Sequence, residues 1–254
     1  MTKLKIISWN INGLRTRFKK DQLDQVFDKN PDIILFQETK AKYDQLDPKL
    51  KELPEYNLYI SPAESSRSGG IVTYSKIKPN LIKKYFKKPD SQFKSRILNI
   101  EFDGFNMIHI HAPTGSGAKA NLESKLNFYE DLINYSKEIA NDNVIIAGDF
   151  SIAHNEKDVS DPESAAKSPN FLKEERKFLD DLEDLGFNDA YRLLNQDSDE
   201  YSSWKSAKAK KDNQGARIDY FFVSNSLKDY IIETKILSSI EGSKHAPIEL
   251  IIDI

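Results

Sequence analysis

The residues that could carry out chemistry stand at the ends of apolar stretches. Residues 144–147 form a run of apolar, mostly β-branched side chains that is followed at once by Gly148 and Asp149. The run predicts a strand buried on both faces, so that Asp149 lies where the strand reaches the surface. A carboxylate there is rigid and partly desolvated, as a general base or metal ligand requires. Gly-Asp is also common in ordinary turns, so this motif alone leaves both interpretations open.

Other apolar stretches also end near polar side chains. These side chains are Asn10, Asn12, Glu38, Asp219 and His245. One carboxylate with amide oxygens nearby suits Mg²⁺, which keeps several waters and leaves room for a phosphate. A histidine paired with an aspartate is favoured as imidazolium and can polarise a phosphoryl oxygen, while a second aspartate takes a proton from water. The set predicts metal-assisted phosphodiester hydrolysis.

Hydrophobic patterning predicts many short strands and few helices. Strands are predicted over 5–10, 33–36, 56–61, 70–74, 81–86, 96–102, 105–111, 144–147, 217–223, 231–237 and 248–252. Helices are predicted over 19–29, 49–53, 122–139 and 171–185, with a long loop over 151–170. Two similar runs of strand, helix, strand and meander predict an α/β fold. Its expected form is a four-layer α/β/β/α sandwich of two mixed, mostly antiparallel sheets in a single domain over 1–254.

Composition narrows the class of protein. The net charge of −3 argues against indiscriminate binding to nucleic acid, although a local basic face stays compatible with it. Cysteine is absent, which excludes disulfides and thiolate metal sites and makes a reducing cytoplasm the expected compartment. No apolar run is long enough to span a membrane, so we expect no membrane partner.

Five motifs follow one another along nearly the whole chain. They occupy residues 8–15, 31–40, 148–149, 217–221 and 243–248. This ordered set resembles the exonuclease III/AP-endonuclease branch of the endonuclease-exonuclease-phosphatase superfamily. The resemblance implies a monomeric DNA nuclease that depends on Mg²⁺, with Mn²⁺ as a substitute, and acts in DNA repair.

The resemblance also implies roles for individual residues. Asp149 would activate water, and His245, oriented by Asp219, would stabilise the phosphate. Glu38 would hold the metal, with Asn10 and Asn12 positioning the ion and the water. The residues expected to contact substrate are Arg15, Lys40, Arg96, Trp204, Arg217 and Lys244.

Several positions depart from the family pattern. Ser151 replaces an asparagine that helps to hold the attacking water, His111 replaces a tyrosine that bonds the phosphate, and Lys244 replaces an aspartate. Ser203 and Ala216 stand where the family places large aromatic residues in its abasic-site pocket. These changes predict weakened activity or altered specificity. A new basic segment is formed by Lys205, Lys208, Lys210 and Lys211.

Two other functions are consistent with these departures. One is a nucleic-acid-binding regulator that has lost catalysis, similar to the catabolite-repression-control proteins of the same family. The other is a phosphodiesterase acting on a different phosphoester, which the fold alone does not exclude.

Overall fold

Two six-stranded sheets pack face to face and carry helices on their outer surfaces in this computed structural model. The structure describes residues 2–65, 68–87 and 92–254. The strands are Lys3–Asn10 (β1), Ile33–Gln37 (β2), Asn57–Ser61 (β3), Ile71–Ser75 (β4), Leu81–Lys83 (β5), Ile97–Glu101 (β6), Asn106–His111 (β7), Val144–Asp149 (β8), Phe187–Asp189 (β9), Ser203–Trp204 (β10), Gly215–Ala216 (β11), Asp219–Ser224 (β12), Ile231–Ile236 (β13) and Ile248–Asp253 (β14). The α-helices are Leu14–Phe18 (α1), Asp24–Phe27 (α2), Pro48–Lys51 (α3), Lys119–Ile139 (α4), Pro162–Ala165 (α5), Lys173–Asp184 (α6), Ala190–Leu194 (α7) and Ala207–Lys211 (α8).

Both sheets are mixed and mostly antiparallel. The first sheet has the strand order β13-β14-β1-β2-β4-β3, and the second has the order β5-β6-β7-β8-β12-β9. The parallel pairs are β1 with β2 and β7 with β8, and the other neighbours in the two sheets run antiparallel. The predicted four-layer fold is confirmed. In each parallel pair, the carboxyl ends of the two strands lie together at one edge of the sheet.

Alternation along each strand separates an inner apolar layer from two outer ones. In β8, Ile145 and Ala147 face the opposite sheet, whereas Val144 and Ile146 face α4 and α6. The first sheet packs its outer face against α1, α2 and α3 in the same way. Because side chains of a strand alternate with a period of two, the inward row of β8 continues from residues 145 and 147 to Asp149.

The predicted elements differ from the observed ones in several places. The helix expected over 19–29 forms only as α2, because the chain turns at Asp21 and Asn30, both with positive φ. α4 begins at residue 119 rather than 122, and α5 interrupts the loop expected over 151–170. The elements from β9 to β11 were missed because each has five residues or fewer. Within the described ranges, no helix is both long and apolar enough to cross a membrane.

Candidate active site

The inward-facing rows of both sheets change from apolar to polar toward one end of the sandwich. The first polar layer contains Ser8, Gln37, Thr73 and His109, all of them buried. The Gln37 amide Nε2 lies 3.0 Å from Ser8 Oγ and 2.8 Å from His109 Nε2. On the other side of the ring, His109 Nδ1 lies 3.0 Å from Thr73 Oγ1. Because His109 belongs to the second sheet and the other three to the first, the layer joins the two sheets.

The next layer places three titratable side chains on neighbouring strands of the second sheet. His111 on β7 is in register with Asp149 on β8, and Asp149 is in register with Asp219 on β12. From the first sheet, Asn10 at the end of β1 donates from Nδ2 to Asp149 Oδ2 at 2.8 Å. The candidate site is thus built from the ends of strands in both sheets.

Asp149 is the most completely held carboxylate in this layer. Besides the bond from Asn10, its Oδ1 accepts hydrogen bonds from the backbone N–H and the Oγ of Ser151, at 2.7 and 3.0 Å. Burial would raise the pKa of Asp149, but the charge of His245 and these hydrogen bonds hold it below its usual value. Asp149 is therefore ionised at neutral pH and fixed in orientation, as a general base must be.

His245 lies in the loop before β14 and is bound to Asp219. Its Nδ1 is 2.9 Å from Asp219 Oδ2, which also accepts a hydrogen bond from Ser202 Oγ at 2.6 Å. Side-chain atoms of His245, Asp219 and Asp149 lie within 4.8 Å of one another. Burial lowers the pKa of His245, but the Asp219 carboxylate outweighs this and raises it to about 9. At neutral pH His245 is an imidazolium beside the candidate general base.

His111 is held as a neutral imidazole by Arg96. The Arg96 Nη1 donates to the carbonyl oxygen of His111 at 3.2 Å and lies 3.5 Å from its Nδ1. Burial and the guanidinium charge lower the pKa of His111 to about 3. Since Nδ1 faces a donor, the proton lies on Nε2, which is 3.9 Å from Asp149 Oδ2. His111 can therefore donate a hydrogen bond at the position that the family gives to tyrosine.

Glu38 and Asn12 supply oxygen atoms to the same cleft. The Lys40 ammonium lies 3.2 Å from Glu38 Oε2 and also donates to Asn12 Oδ1. An ammonium shared by these two oxygens marks a position that favours a cation. From the described residues, Asn10 Oδ1 accepts a hydrogen bond only from the backbone N–H of Asn12, so it retains a second lone pair. A donor set made of carboxylate and amide oxygens fits a hard divalent cation such as Mg²⁺.

Most of the predicted residues lie in or beside one open cleft. Those that line it are Asn10, Asn12, Glu38, His111, Asp149, Ser151, Trp204, Lys244 and His245. Asp219 supports His245 from behind, and Arg15 donates to the backbone oxygen of Lys40 at 3.4 Å, next to Glu38 and Asn12. Arg96 lines an adjoining groove, which shares Thr114 with the cleft.

Arg217 lies apart from this cleft, at odds with the expectation that it contacts substrate. Its side chain is 1% exposed, with Nε donating to Asp158 at 2.9 Å and Nη2 to Asp189 at 2.6 Å. Two buried carboxylates therefore compensate its charge, and it joins the loop around Asp158 to the end of β9. In place of Arg217, its neighbours Ala216 and Ile218 line the cleft.

Residues 203–216, which we call the basic hairpin, form one wall of the cleft. The hairpin consists of β10, α8 and β11, and Lys210 Nζ lies 5.1 Å from the centre of the Trp204 ring. The backbone N–H of Trp204 donates to the Lys244 carbonyl at 2.9 Å, which ties the hairpin to the loop that carries His245. Ser203 and Ala216 pair across β10 and β11 and leave this wall without the two aromatic side chains that the resemblance implies.

Two residues of the site were missed from the sequence. Ser202 fixes Asp219, and nothing in its surrounding residues distinguishes it from other serines. Lys125 is fully buried, and its Nζ donates to the backbone oxygen of Ser151 at 2.6 Å. The sequence did contain a signal for Lys125. It lies three residues after Leu122 and four before Tyr129, which places a lysine on the apolar face of a predicted helix.

The chain is similar to known nucleases in sequence and to an AP endonuclease in fold. The sequence model of the Endonuclease/Exonuclease/phosphatase family matches residues 7–237. An exodeoxyribonuclease of Bacillus subtilis is 32% identical over 99% of this chain and 100% of its own length. The DNA repair nuclease APEX1 of Danio rerio is 30% identical over 97% of this chain and 81% of its own length. In fold, an AP endonuclease of Archaeoglobus fulgidus superposes with a TM-score of 0.89, at 21% identity, over 99% of this chain and 100% of its own.

The extent of these matches is sufficient to assign the family. The family model spans residues 7–237, and the Bacillus subtilis relative aligns with nearly the whole chain. They also cover the strands that build the cleft, so the alignment and the observed fold concern the same part of the molecule. The resemblance noted from the ordered motifs is thereby confirmed. The chain belongs to the endonuclease/exonuclease/phosphatase family, as an enzyme of its exonuclease III/AP-endonuclease branch.

Proposed function

We propose that this protein hydrolyses phosphodiester bonds of DNA in a Mg²⁺-dependent reaction that serves DNA repair. The observation that carries the proposal is the meeting, in one cleft, of a fixed carboxylate and an imidazolium. Asp149 accepts three hydrogen bonds from Asn10 and Ser151, and the atoms of Asp149, Asp219 and His245 lie within 4.8 Å. The names of the Bacillus subtilis and Danio rerio relatives support DNA as the substrate.

In the proposed reaction Asp149 accepts a proton from a water molecule as the water oxygen attacks phosphorus. Asn10 and Ser151 keep the Asp149 carboxylate ionised and oriented for this transfer. The His245 imidazolium, held by Asp219, donates to a non-bridging phosphate oxygen as negative charge develops there. The neutral His111 offers a second donor from Nε2. The phosphorus–oxygen ester bond breaks as the new bond forms.

A divalent cation would be held by Glu38 with the amide oxygens of Asn12 and Asn10. When bound, Mg²⁺, or Mn²⁺ in its place, would neutralise phosphate charge and favour departure of the ester oxygen. Lys40 already places positive charge at these oxygens, 3.2 Å from Glu38 Oε2. Its ammonium would move toward the substrate phosphate once the cation is bound.

The open wall of the basic hairpin bears on the choice of substrate. Ser203, Ala216 and Ile218 line the cleft where a pocket closed by two aromatic rings would select a baseless sugar by shape. With small side chains there, we propose weaker discrimination between abasic and base-bearing nucleotides than such a pocket gives. Lys244 and the lysines of the basic hairpin would contact backbone phosphates.

A cleavage assay with and without Mg²⁺ tests this function. The substrates are duplex DNA with one abasic analogue, intact duplex DNA with 3′ ends, and single-stranded RNA. Asp149→Asn and Glu38→Ala should each abolish Mg²⁺-dependent cleavage, whereas the exposed Asp229→Asn should not change it. Cleavage that persists in both site variants would overturn the assignment of roles. The two DNA substrates report separately on incision at the lesion and trimming from the 3′ end.

The two other functions correspond to distinct outcomes. Binding of single-stranded RNA without cleavage of any substrate and without Mg²⁺ binding would identify a regulator that has lost catalysis. Hydrolysis of a small phosphodiester, with no action on DNA, would identify a phosphodiesterase of another class. We also expect the protein to act in a reducing cytoplasm and to be a monomer. Sedimentation with and without duplex DNA measures the oligomeric state.

A further inference from the structure

A buried lysine joins three segments that form the floor of the cleft. Lys125, on α4, is 0% exposed. Its Nζ donates to the backbone oxygen of Ser151 at 2.6 Å and to Asn170 Oδ1 at 3.1 Å, and it lies 3.5 Å from the backbone oxygen of Thr114. Its counter-charge is Glu175 on α6, at 2.6 Å and equally buried. Thr114, Ser151 and Asn170 all line the cleft, whereas Lys125 itself does not.

Two hydrogen bonds from side chains of α4 hold the turn that follows Asp149. The Tyr129 hydroxyl donates to the backbone oxygen of Phe150, and Lys125, one helical turn earlier, donates to the next backbone oxygen, that of Ser151. Ser151 has φ of 51°, in the left-handed region that a serine rarely adopts. In this conformation its N–H and Oγ both reach Asp149 Oδ1. Tyr129 thus holds the peptide whose N–H bonds Asp149, and the Lys125 ammonium holds the next peptide, on the other side of the Ser151 Cα.

We propose that Lys125 is a positioning residue for Asp149, acting through the backbone conformation of Ser151. This inference rests on the proposed function, because it concerns the orientation of the candidate general base. Without the ammonium, the Ser151 carbonyl would lose this partner, and the Ser151 backbone would relax from its left-handed conformation, which would shift the N–H and Oγ that bond Asp149. A carboxylate displaced in this way is less well aimed at the water, so the loss should fall on kcat rather than on KM.

The buried ion pair also has a structural role, which the experiment must separate from positioning. Lys125→Met removes the charge and leaves the buried Glu175 carboxylate unpaired, which should lower the Tm. The double variant Lys125→Met with Glu175→Gln removes that unpaired charge and should recover much of the Tm. Lys125→Arg keeps a cationic donor at the same place. Leu132→Ala, a buried apolar truncation on the same helix, serves as the control for destabilisation alone.

The kinetic measurement uses the DNA substrate that the wild-type protein cleaves best, at a temperature where every variant is folded. We expect kcat to fall about 100-fold in the double variant, with KM nearly unchanged, although its Tm recovers. Lys125→Arg should regain part of kcat, and Leu132→Ala should lower Tm without lowering kcat. Recovery of kcat together with Tm in the double variant would overturn the proposal. If Lys125→Met fails to fold, the double variant carries the test.

Amide hydrogen exchange separates this proposal from the proposed function. In the double variant, exchange should quicken in the segments around Thr114, Ser151 and Asn170 and stay unchanged in the first sheet. This result does not depend on cleavage, so it holds even if the wild-type protein cleaves no DNA, an outcome that would reject only the function. Unchanged exchange around Ser151 would reject the positioning role whatever the activity.

Discussion

Among the residues in or beside the cleft with left-handed backbone conformations, four lie at the candidate metal site or next to Asp149. They are Asn12, Glu38, Lys40 and Ser151, with φ between 50° and 52°. Asparagine tolerates this region better than other residues with a Cβ, whereas serine is strained in it. Ser151 also offers a single hydroxyl where the family has an asparagine, whose amide carries a separate donor and acceptor. At this position the structure indicates backbone strain, and the serine side chain predicts a weaker hold on the attacking water.

Replacing Ser151 with asparagine should therefore improve two properties at once. We expect Ser151→Asn to stabilise the fold by about 1 kcal/mol through relief of backbone strain. The added amide donor should raise kcat about tenfold if it bonds the water or the phosphate. Denaturant unfolding and single-turnover cleavage measure the two effects. Ser151→Ala is the comparison, since it keeps the strain and loses the 3.0 Å bond to Asp149; a gain in Ser151→Asn no greater than in Ser151→Ala would contradict the argument.

At the scale of a single strand, Gly148 allows β8 to approach β7. Its φ is 141°, and a Cβ built there would lie 1.9 Å from the backbone oxygen of Ile110. That oxygen belongs to the sheet and cannot move aside as a flexible side chain would. Only glycine is therefore compatible with the pairing that puts His111 and Asp149 in register.

Substitution of Gly148 by alanine should separate the two strands. We expect Gly148→Ala to lower the free energy of unfolding by more than about 3 kcal/mol, because backbone rather than side chain must shift. Gly104→Ala is the control: its φ is 87°, but the nearest atom to a Cβ is 4.0 Å away. It should lose only about 1 kcal/mol. Urea unfolding compares the two, and equal losses would show that backbone conformation, not the close approach, dominates.

The basic hairpin is the element that should make binding sensitive to salt. Lys205, Lys208 and Lys211 are exposed on it, while Lys210 packs over the Trp204 ring. If each exposed lysine neutralises one phosphate, the triple alanine variant should reduce the slope of log K against log salt by about 3. Fluorescence anisotropy with catalytically silent Asp149→Asn protein measures this. Lys137→Ala, exposed on α4, should leave the slope unchanged, and an unchanged triple variant would remove the hairpin from the interface.

On the scale of the whole molecule, the polar layer beneath the site makes the docking of the sheets sensitive to acid. Burial lowers the pKa of His109 to about 3, whereas an unfolded chain takes up the proton near its ordinary pKa of about 6.5. As the pH falls below about 6.5, the unfolded state binds a proton that the folded state excludes. His109 therefore favours folding above that pH and progressively less below it.

Removal of His109 should flatten the dependence of stability on pH. Between pH 6 and pH 4 we expect the wild-type protein to lose about 1.4 kcal/mol per pH unit through this residue. In His109→Gln, the slope of unfolding free energy against pH should be smaller by the amount that corresponds to one bound proton. Urea unfolding at a series of pH values measures this slope. Because burial also lowers the pKa of His111, a residual slope should persist in the variant. Identical slopes in both proteins would show that His109 gains a proton in the folded state.

The sequence predicts most of the fold because the strands are long apolar runs with a clear period. The same period predicts that Asn10 and Asp149 continue inward-facing rows, which explains why strand ends indicated the site. Arg217 was misjudged because a motif gives the position of a residue, not the direction of its side chain. Its two partners, Asp158 and Asp189, are distant in sequence and become visible only in the folded chain. The short elements between β9 and β11 depend on tertiary contacts rather than on local pattern.

The hydrogen bond between Asn10 and Asp149 has a consequence for folding kinetics. The two residues are 139 positions apart and belong to opposite sheets. Each sheet can form its own ladder before the other is in place, but this bond forms only once the two inner faces have met. Contacts between such distant parts of a chain are slow to form. During refolding, cleavage activity should therefore return after the β-sheet circular dichroism signal, and the lag would time the meeting of the sheets.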